Sequence, residues 1–211
     1  MKKIALFGAT GKTGMEFLKL AIDKGWQIKA LARNPAKLNL KHPRLVVIKG
    51  DVLNENNVKA VVKDCDLVVS LFGHVKGSPE WLQTNGTKNI ISAMKQFSLE
   101  KIISLSGGGL PYPEKDQPKL ADKLICTIMK VAAPNMLNDA IAHHKVLASS
   151  SRKWIIVRGP RLNNGKKRGT YRVGWVGVNA GTSISRADLA DFIVKQVDDE
   201  QFLFQMPYVS Y

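Results

Sequence analysis

Gly8, Gly11 and Gly14 stand three apart in Ile4-Ala-Leu-Phe-Gly8-Ala-Thr10-Gly11-Lys12-Thr13-Gly14, directly after a short apolar run. Glycine there permits a tight turn and lets a charged ligand come close to the backbone. The next apolar residues, Met15, Phe17, Leu18, Ala21 and Ile22, recur at helical spacing. A strand that passes through a glycine turn into a helix offers unpaired N–H groups and the positive end of a dipole, which suits a pyrophosphate. The glycine spacing alone is weak; placed between a strand and an amphipathic helix it points to a dinucleotide, with Gly8, Thr10, Gly11, Lys12 and Thr13 as binding residues. Gly11-Lys12-Thr13 imitates the end of a triphosphate-binding loop. That loop needs glycine five residues before Gly11, where Leu6 stands.

The other half of such a site falls at the ends of later strands. In a dinucleotide fold, an acid about 20 residues past the first glycine takes the ribose hydroxyls. Here the segment reads Lys29-Ala-Leu-Ala-Arg33-Asn-Pro-Ala-Lys37, with no carboxylate. A guanidinium suits a 2′-phosphate, which a carboxylate would repel, so Arg33 favours NADP over NAD. Asp51 and Val52 follow the third apolar run; they either meet the adenine or cap the next helix. Leu71, Phe72 and Gly73 follow the fourth run, where a glycine lets the chain pass the nicotinamide ribose. His74 is read as a solvated loop histidine, with a substrate contact as the rival reading.

The elements that must position these residues alternate along the chain. Strands are expected over Lys3–Phe7, Gln27–Ala32, Leu45–Lys49, Asp66–Leu71, Lys101–Leu105 and Trp154–Val157, each rich in Val, Ile and Leu without clean alternation. Helices fit over Thr13–Lys24, Asn54–Lys63, Trp81–Phe97, a pair within Lys119–Ser150, and Arg186–Asp198, the last capped by Ser185 with Asp188 in its first turn. Tyr112–Pro118 and Asn163–Gly169 read as loops. Repeated βα units imply a parallel sheet with right-handed crossovers: an α/β, Rossmann-like, doubly wound single domain over residues 1–211.

Composition narrows the partners. No apolar run reaches the length of a bilayer span, and the N-terminus reads as a core strand, so no membrane association and a cytoplasmic location are expected. Cys65 and Cys126 have no metal spacing and read as two reduced thiols. The net charge is +15. Seven Lys and Arg with no acid lie between Lys24 and Gly50, around the expected adenosine, and five between Arg161 and Arg172, in a loop expected near the substrate. Without zinc-finger spacing or an aromatic basic strand, nucleic acid is disfavoured, and an anionic small molecule fits better.

Over nearly its full length the chain resembles the atypical short-chain dehydrogenase/reductases of the NADP-binding, NmrA-like kind, and among them most the biliverdin-IXβ reductase, or NADPH flavin reductase, branch. The resemblance rests on KKIALFGATGKTG, LARNPAKL, VIKGDVL, NGTKNIISAMK, KIISLSGG, the HKVL of His144–Leu147 and the Pro-Tyr-Val-Ser-Tyr ending. It implies the cofactor positions already named, places Ser106 beside the nicotinamide, and marks Lys145 and His144 as candidate site residues. Two departures stand out. The Tyr-x-x-x-Lys pair of ordinary short-chain dehydrogenases lacks its tyrosine, because Ile141 stands four residues before Lys145. The histidine expected earlier in that helix is Ala140.

Ketone reduction builds charge on one oxygen and needs a positioned acid. A flavin, quinone or bilin spreads that charge, so the site mainly stacks the acceptor on the nicotinamide. The expectation is an NADPH-dependent reductase acting on a flat, conjugated and anionic acceptor as a monomer. Ser106 would hydrogen-bond the carboxamide or acceptor, or else serve as a turn or capping serine; Lys145 would hold the ribose or an anion; His144 would relay a proton, or else be a surface residue, since adjacent His143 and His144 on a helix cannot both face the site. Lys166, Lys167 and Arg168 would attract an anionic acceptor, with solvated surface charge as the rival reading. The alternative is a non-catalytic, NADP-binding redox sensor. No metal is expected.

Overall fold

The computed structural model describes the backbone of residues 1–211 and every side chain except those of Ala121, Ile125, Cys126, Met129 and Lys130. The expectation for Cys126 therefore lies outside the described residues. Its counterpart Cys65 is a buried free thiol, and burial pushes its pKa up to about 11.

Strand β1 (Lys3–Phe7) runs through the glycine turn into helix α1 (Lys12–Asp23). There follow β2 (Gln27–Ala32), β3 (Leu45–Lys49), α2 (Glu55–Val62), β4 (Leu67–Ser70), α3 (Leu82–Gln96) and β5 (Lys101–Gly107). Helices α4 (Leu120–Ala132) and α5 (Pro134–Ala148) lead to β6 (Lys153–Gly159). Short strands β7 (Arg161–Asn163), β8 (Arg172–Gly174) and β9 (Ser183–Ser185) precede α6 (Arg186–Lys195) and β10 (Tyr208–Ser210).

The main sheet has the order β3-β2-β1-β4-β5-β6-β10-β8, parallel except that β8 runs antiparallel to β10. Strands β7 and β9 form a separate parallel pair. β1 pairs with β2 on one side and β4 on the other, so the strand order reverses there. Ligands of open α/β sheets bind outside the strand C-termini at such a switch point.

Alternate β1 residues serve opposite faces. Ile4 and Leu6 pack with Phe17, Leu18 and Ala21 of α1 and Leu189, Ala190 and Ile193 of α6. Ala5 and Phe7 pack with Val58 and Val61 of α2, Ile90 and Met94 of α3 and Leu147 of α5. Burial on both faces is the reason the central strands read as continuous apolar runs. No helix among the described residues is long and apolar enough to cross a membrane.

The late chain differs most from expectation. Strands β7 to β10 are three residues each and carry no periodic signal of their own. The basic segment after β7 is tethered by α6, whose Asp188 accepts the N–H groups of Arg168 at 2.9 Å and Gly169 at 2.8 Å. Asp191 pairs with Lys167 at 2.6 Å and Lys195 at 2.7 Å. Segment 107–118 is held likewise. Arg158, fully buried, forks onto Asp116 with two 2.8 Å bonds and donates to the carbonyls of Leu110 and Met206.

Candidate active site

The strand C-termini build one crevice with two lobes. The first, about 160 Å³, lies over β1 to β4 and is walled by Gly8, Thr10, Gly11, Arg33, Asp51, Val52, Leu71, Phe72 and Gly73. The second, about 220 Å³, lies over β4 to β6. Leu71, Phe72 and Gly73 line both, so the lobes meet at the end of β4.

The first lobe has the form of a diphosphate cradle. Gly8 has φ +87°, and a Cβ there would stand 2.5 Å from the Leu71 carbonyl carbon and the Phe72 nitrogen. A Cβ on Gly14 would stand 2.1 Å from the Gly8 oxygen. Glycine at 14 thus lets α1 sit directly on the turn. Gly11, at the helix N-cap, supplies no side-chain cap. The N–H groups of the first turn are left for a ligand. Lys12 opens the helix and is exposed; Thr13 is buried; neither walls the lobe.

The adenosine end follows from β2 and β3. Arg33 is exposed at the rim and makes no ion pair with an acid among the described residues. A 3₁₀ turn over Pro35–Lys37, opened by Asn34 accepting from the Ala36 N–H, brings exposed Lys37 onto the same segment. Helix α2 is capped by Asn54, which accepts from the Asn57 N–H at 3.1 Å. Asp51 is thus relieved of capping and lies in the lobe wall, its carboxylate accepting the Leu53 N–H at 2.9 Å.

The second lobe is mostly apolar, with Leu71, Phe72, Leu105, Leu110, Met136, Leu137, Ala140 and Leu162 on its walls. Its polar groups are Ser106, Gln83 and His74. Ser106 is buried, and its Oγ has no hydrogen-bond partner among the described residues. A buried hydroxyl without a partner costs stability unless a ligand or water completes it. Among the described residues, no tyrosine, lysine or arginine lines this lobe.

Lys145 and His144 are not among its walls. Met136, Leu137 and Ala140 line it from the first turns of α5, and the helix then descends along the sheet. Lys145 is five residues beyond Ala140, roughly 7.5 Å further along the axis and about 140° around it. It is exposed. His144 packs edge-on against Trp154, at 5.4 Å between ring centres, and burial lowers its pKa. Its neighbour His143 is a structural clamp, with Nδ1 2.9 Å from Thr87 Oγ1 and Nε2 3.0 Å from Ser104 Oγ. The bond pair ties α5 to α3 and β5. Lys166, Lys167 and Arg168 also lie outside the lobe, engaged or exposed on the α6 side.

His74 departs from the solvated reading. Its Nε2 lies 2.6 Å from Asp139 Oδ2. Asp139, fully buried on α5, also accepts the N–H groups of Gln83 at 2.8 Å and Thr84 at 2.9 Å and the Thr84 hydroxyl at 2.5 Å. Burial alone would raise the Asp139 pKa; the bonds from Thr84, Gln83 and His74 outweigh it and hold the pKa below the usual value. Among the described residues, no three His, Cys, Asp or Glu side chains gather as a metal site.

A sequence profile described as NAD(P)H-binding matches residues 8–200. The chain belongs to this NAD(P)H-binding family. It is 25% identical over 135 residues to cinnamoyl-CoA reductase 1 of Arabidopsis thaliana, covering 58% of this chain and 39% of that protein. The chain thus spans about two-fifths of the length of the cinnamoyl-CoA reductases it matches. Its fold is similar to a short-chain dehydrogenase/reductase of Veillonella parvula DSM 2008 solved in complex with NADP (TM-score 0.81, 18% identity, covering 100% of this chain and 94% of that one). It is also similar to SP1627 of Streptococcus pneumoniae TIGR4, named a candidate NADH-flavin reductase (TM-score 0.79, 17% identity, covering 100% and 99%). The cradle at Gly8 and Gly14, where any Cβ would collide with backbone, fits the dinucleotide of this family.

Proposed function

We propose that the chain is an NADPH-dependent reductase that delivers hydride to a flat conjugated acceptor of the flavin, quinone or bilin kind. The observation that carries this reading is the junction of the two lobes. A dinucleotide laid over the glycine turn would bring its nicotinamide past Gly73 into an apolar lobe, where the buried hydroxyl of Ser106 has no hydrogen-bond partner among the described residues. The cofactor, once bound, supplies the hydride.

The chain's own residues would do the rest. First-turn N–H groups of α1 hold the diphosphate, and Arg33 takes the 2′-phosphate. Ser106 donates to the carboxamide or the acceptor. Phe72, Leu105, Met136 and Leu162 exclude water and present apolar surface to a planar ring, a positioning role. A lobe lined by no tyrosine or lysine among the described residues suits an acceptor that spreads charge better than an isolated ketone. The NADP-bound Veillonella protein supports the cofactor of this reading, and the NADH-flavin reductase name of SP1627 supports only its acceptor class.

A non-catalytic NADP sensor is the second reading, favoured by the position of Lys145 and His144 outside the lobe. Steady oxidation of NADPH with flavin mononucleotide or a soluble quinone supports the reductase. Tight NADPH binding with no turnover over that panel would overturn it in favour of the sensor.

A further inference from the structure

His74, on the wall of the second lobe, is coupled to the buried carboxylate of Asp139 behind it. We infer that His74 protonates the reduced acceptor, with Asp139 as the residue that positions it. The inference rests on the reductase reading and names the acid which that reading lacks.

Gly73 ends the β4 turn, and His74 follows it on the lobe wall, its side chain 13% exposed. Asp139 immediately precedes Ala140, another wall residue. The carboxylate sits at the start of α3, whose N-cap residue Trp81 supplies no side-chain cap. Asp139 therefore caps that helix from outside, through Gln83 and Thr84. The cap is complete with those two N–H groups. His74 adds nothing to it, yet is held on the same oxygen as Gln83 at 2.6 Å.

An ionised carboxylate only accepts hydrogen bonds, so Nε2 of His74 carries its proton and donates. That leaves Nδ1 as the atom that gains and loses a proton. Nδ1 makes no hydrogen bond among the described residues. One nitrogen is thus anchored and the other makes no hydrogen bond among the described residues, on a residue that lines the lobe; the anchor fixes the tautomer.

The step balances. Hydride adds two electrons and one hydrogen to the acceptor and leaves an anion spread over its conjugated system. Imidazolium Nδ1–H breaks, and the proton joins the acceptor oxygen or nitrogen. His74 is left neutral, Asp139 stays ionised, and water returns the proton to Nδ1. Overall, NADPH and one proton are consumed for each acceptor reduced. Ser106 is a poorer candidate, since a serine hydroxyl is a much weaker acid than imidazolium and serves here as a hydrogen-bond donor.

The test uses the intact protein, NADPH and a series of soluble para-quinones whose hydroquinones differ in acidity. His74→Gln keeps the Gln83 and Thr84 bonds to Asp139, so α3 stays capped. NADPH affinity should not change. Turnover of the quinone with the least acidic product should fall about a hundredfold, and of the most acidic only a few fold, as loss of a general acid requires. Imidazole added to His74→Gly should restore part of the rate. Asp139→Asn, where it folds, should lower kcat with KM for NADPH unmoved.

A readout free of turnover accompanies these. Diethyl pyrocarbonate should modify His74 in the free protein and spare buried His143, and NADP with flavin mononucleotide should protect His74. Equal rates for wild type and His74→Gln across the series, or equal labelling of His74 with and without those ligands, would overturn the assignment of His74 alone. A wild-type protein that binds NADPH but reduces none of the quinones would remove the reductase reading and this one with it.

Discussion

Lowering the pH from 7.5 to 5 should destabilise the scaffold of the site through one buried side chain. His143 is 1% exposed, and burial outweighs the opposing charge of Asp139 to bring its pKa down to about 4 from 6.5. The unfolded chain therefore takes up this proton near pH 6.5, while the folded protein refuses it until about pH 4. Stability from this group is fully present above pH 6.5 and is lost progressively as the pH falls towards 4. At pH 5 the loss amounts to about 2 kcal/mol, from the difference in proton binding between the two states. With a urea m-value of about 2 kcal/mol/M, the unfolding midpoint should drop by about 1 M. Carboxylates scarcely contribute to this window, since their unfolded pKa values lie near 4. His144, also lowered by burial, adds to the slope in the same sense. Urea titrations at pH 7.5, 6 and 5 measure the effect, with His143→Gln as the control that flattens most of it. A wild-type midpoint indifferent to pH over this range would refute the reasoning, as would a His143→Gln variant that keeps the whole drop.

Three further outcomes follow from named contacts. Gly14→Ala places a methyl against the Gly8 carbonyl; overpacking of this kind costs roughly 1–3 kcal/mol, so both the melting temperature and NADPH affinity should fall, by calorimetry and fluorescence titration respectively. Arg158→Met leaves the mostly buried Asp116 carboxylate without its guanidinium, with only the Tyr112 and Val176 N–H groups among the described residues, and breaking a buried pair costs about 3–5 kcal/mol, so denaturant unfolding should show a large loss that the double variant Arg158→Met/Asp116→Asn partly recovers. Lys145→Ala, with its side chain outside both lobes, should leave kcat and NADPH affinity within about twofold, surface substitutions being worth at most ~0.5 kcal/mol; a large fall in kcat would bring Lys145 back into the site.

The glycine turn was legible because its signals are local. Gly8 needs a positive φ, Gly14 needs to lack a Cβ, and both demands are met within one βα unit. The six expected strands read correctly because burial writes apolar runs into the central ones, as in Leu67-Val68-Val69 of β4. The acceptor end was not legible in this way. His74 meets Asp139 across 65 positions and Arg158 meets Asp116 across 42, and no periodicity couples such pairs. The acids that occupy the basic loop, Asp188 and Asp191, come from the following helix. A charge count over Arg161 to Arg172 alone therefore overstated the free positive charge. Lys145 and His144 drew attention by family spacing, whereas their distance from the lobe depends on how deep α5 runs along the sheet. A useful signal was present but unread: Asp139 is an acid in α5 close to apolar Leu137, Ala140 and Ile141. An acid buried at such a position has to find several donors.

The account stands most directly on cofactor choice. Fluorescence titration of the free protein with NADPH and NADH, repeated on Arg33→Ala, tests it without needing an acceptor. NADPH should bind more tightly than NADH, and Arg33→Ala should weaken NADPH by about tenfold to a hundredfold, the worth of charge-assisted bonds to a 2′-phosphate, while NADH changes little. Equal affinity for the two nucleotides in the wild type, or equal losses for both in the variant, would contradict it.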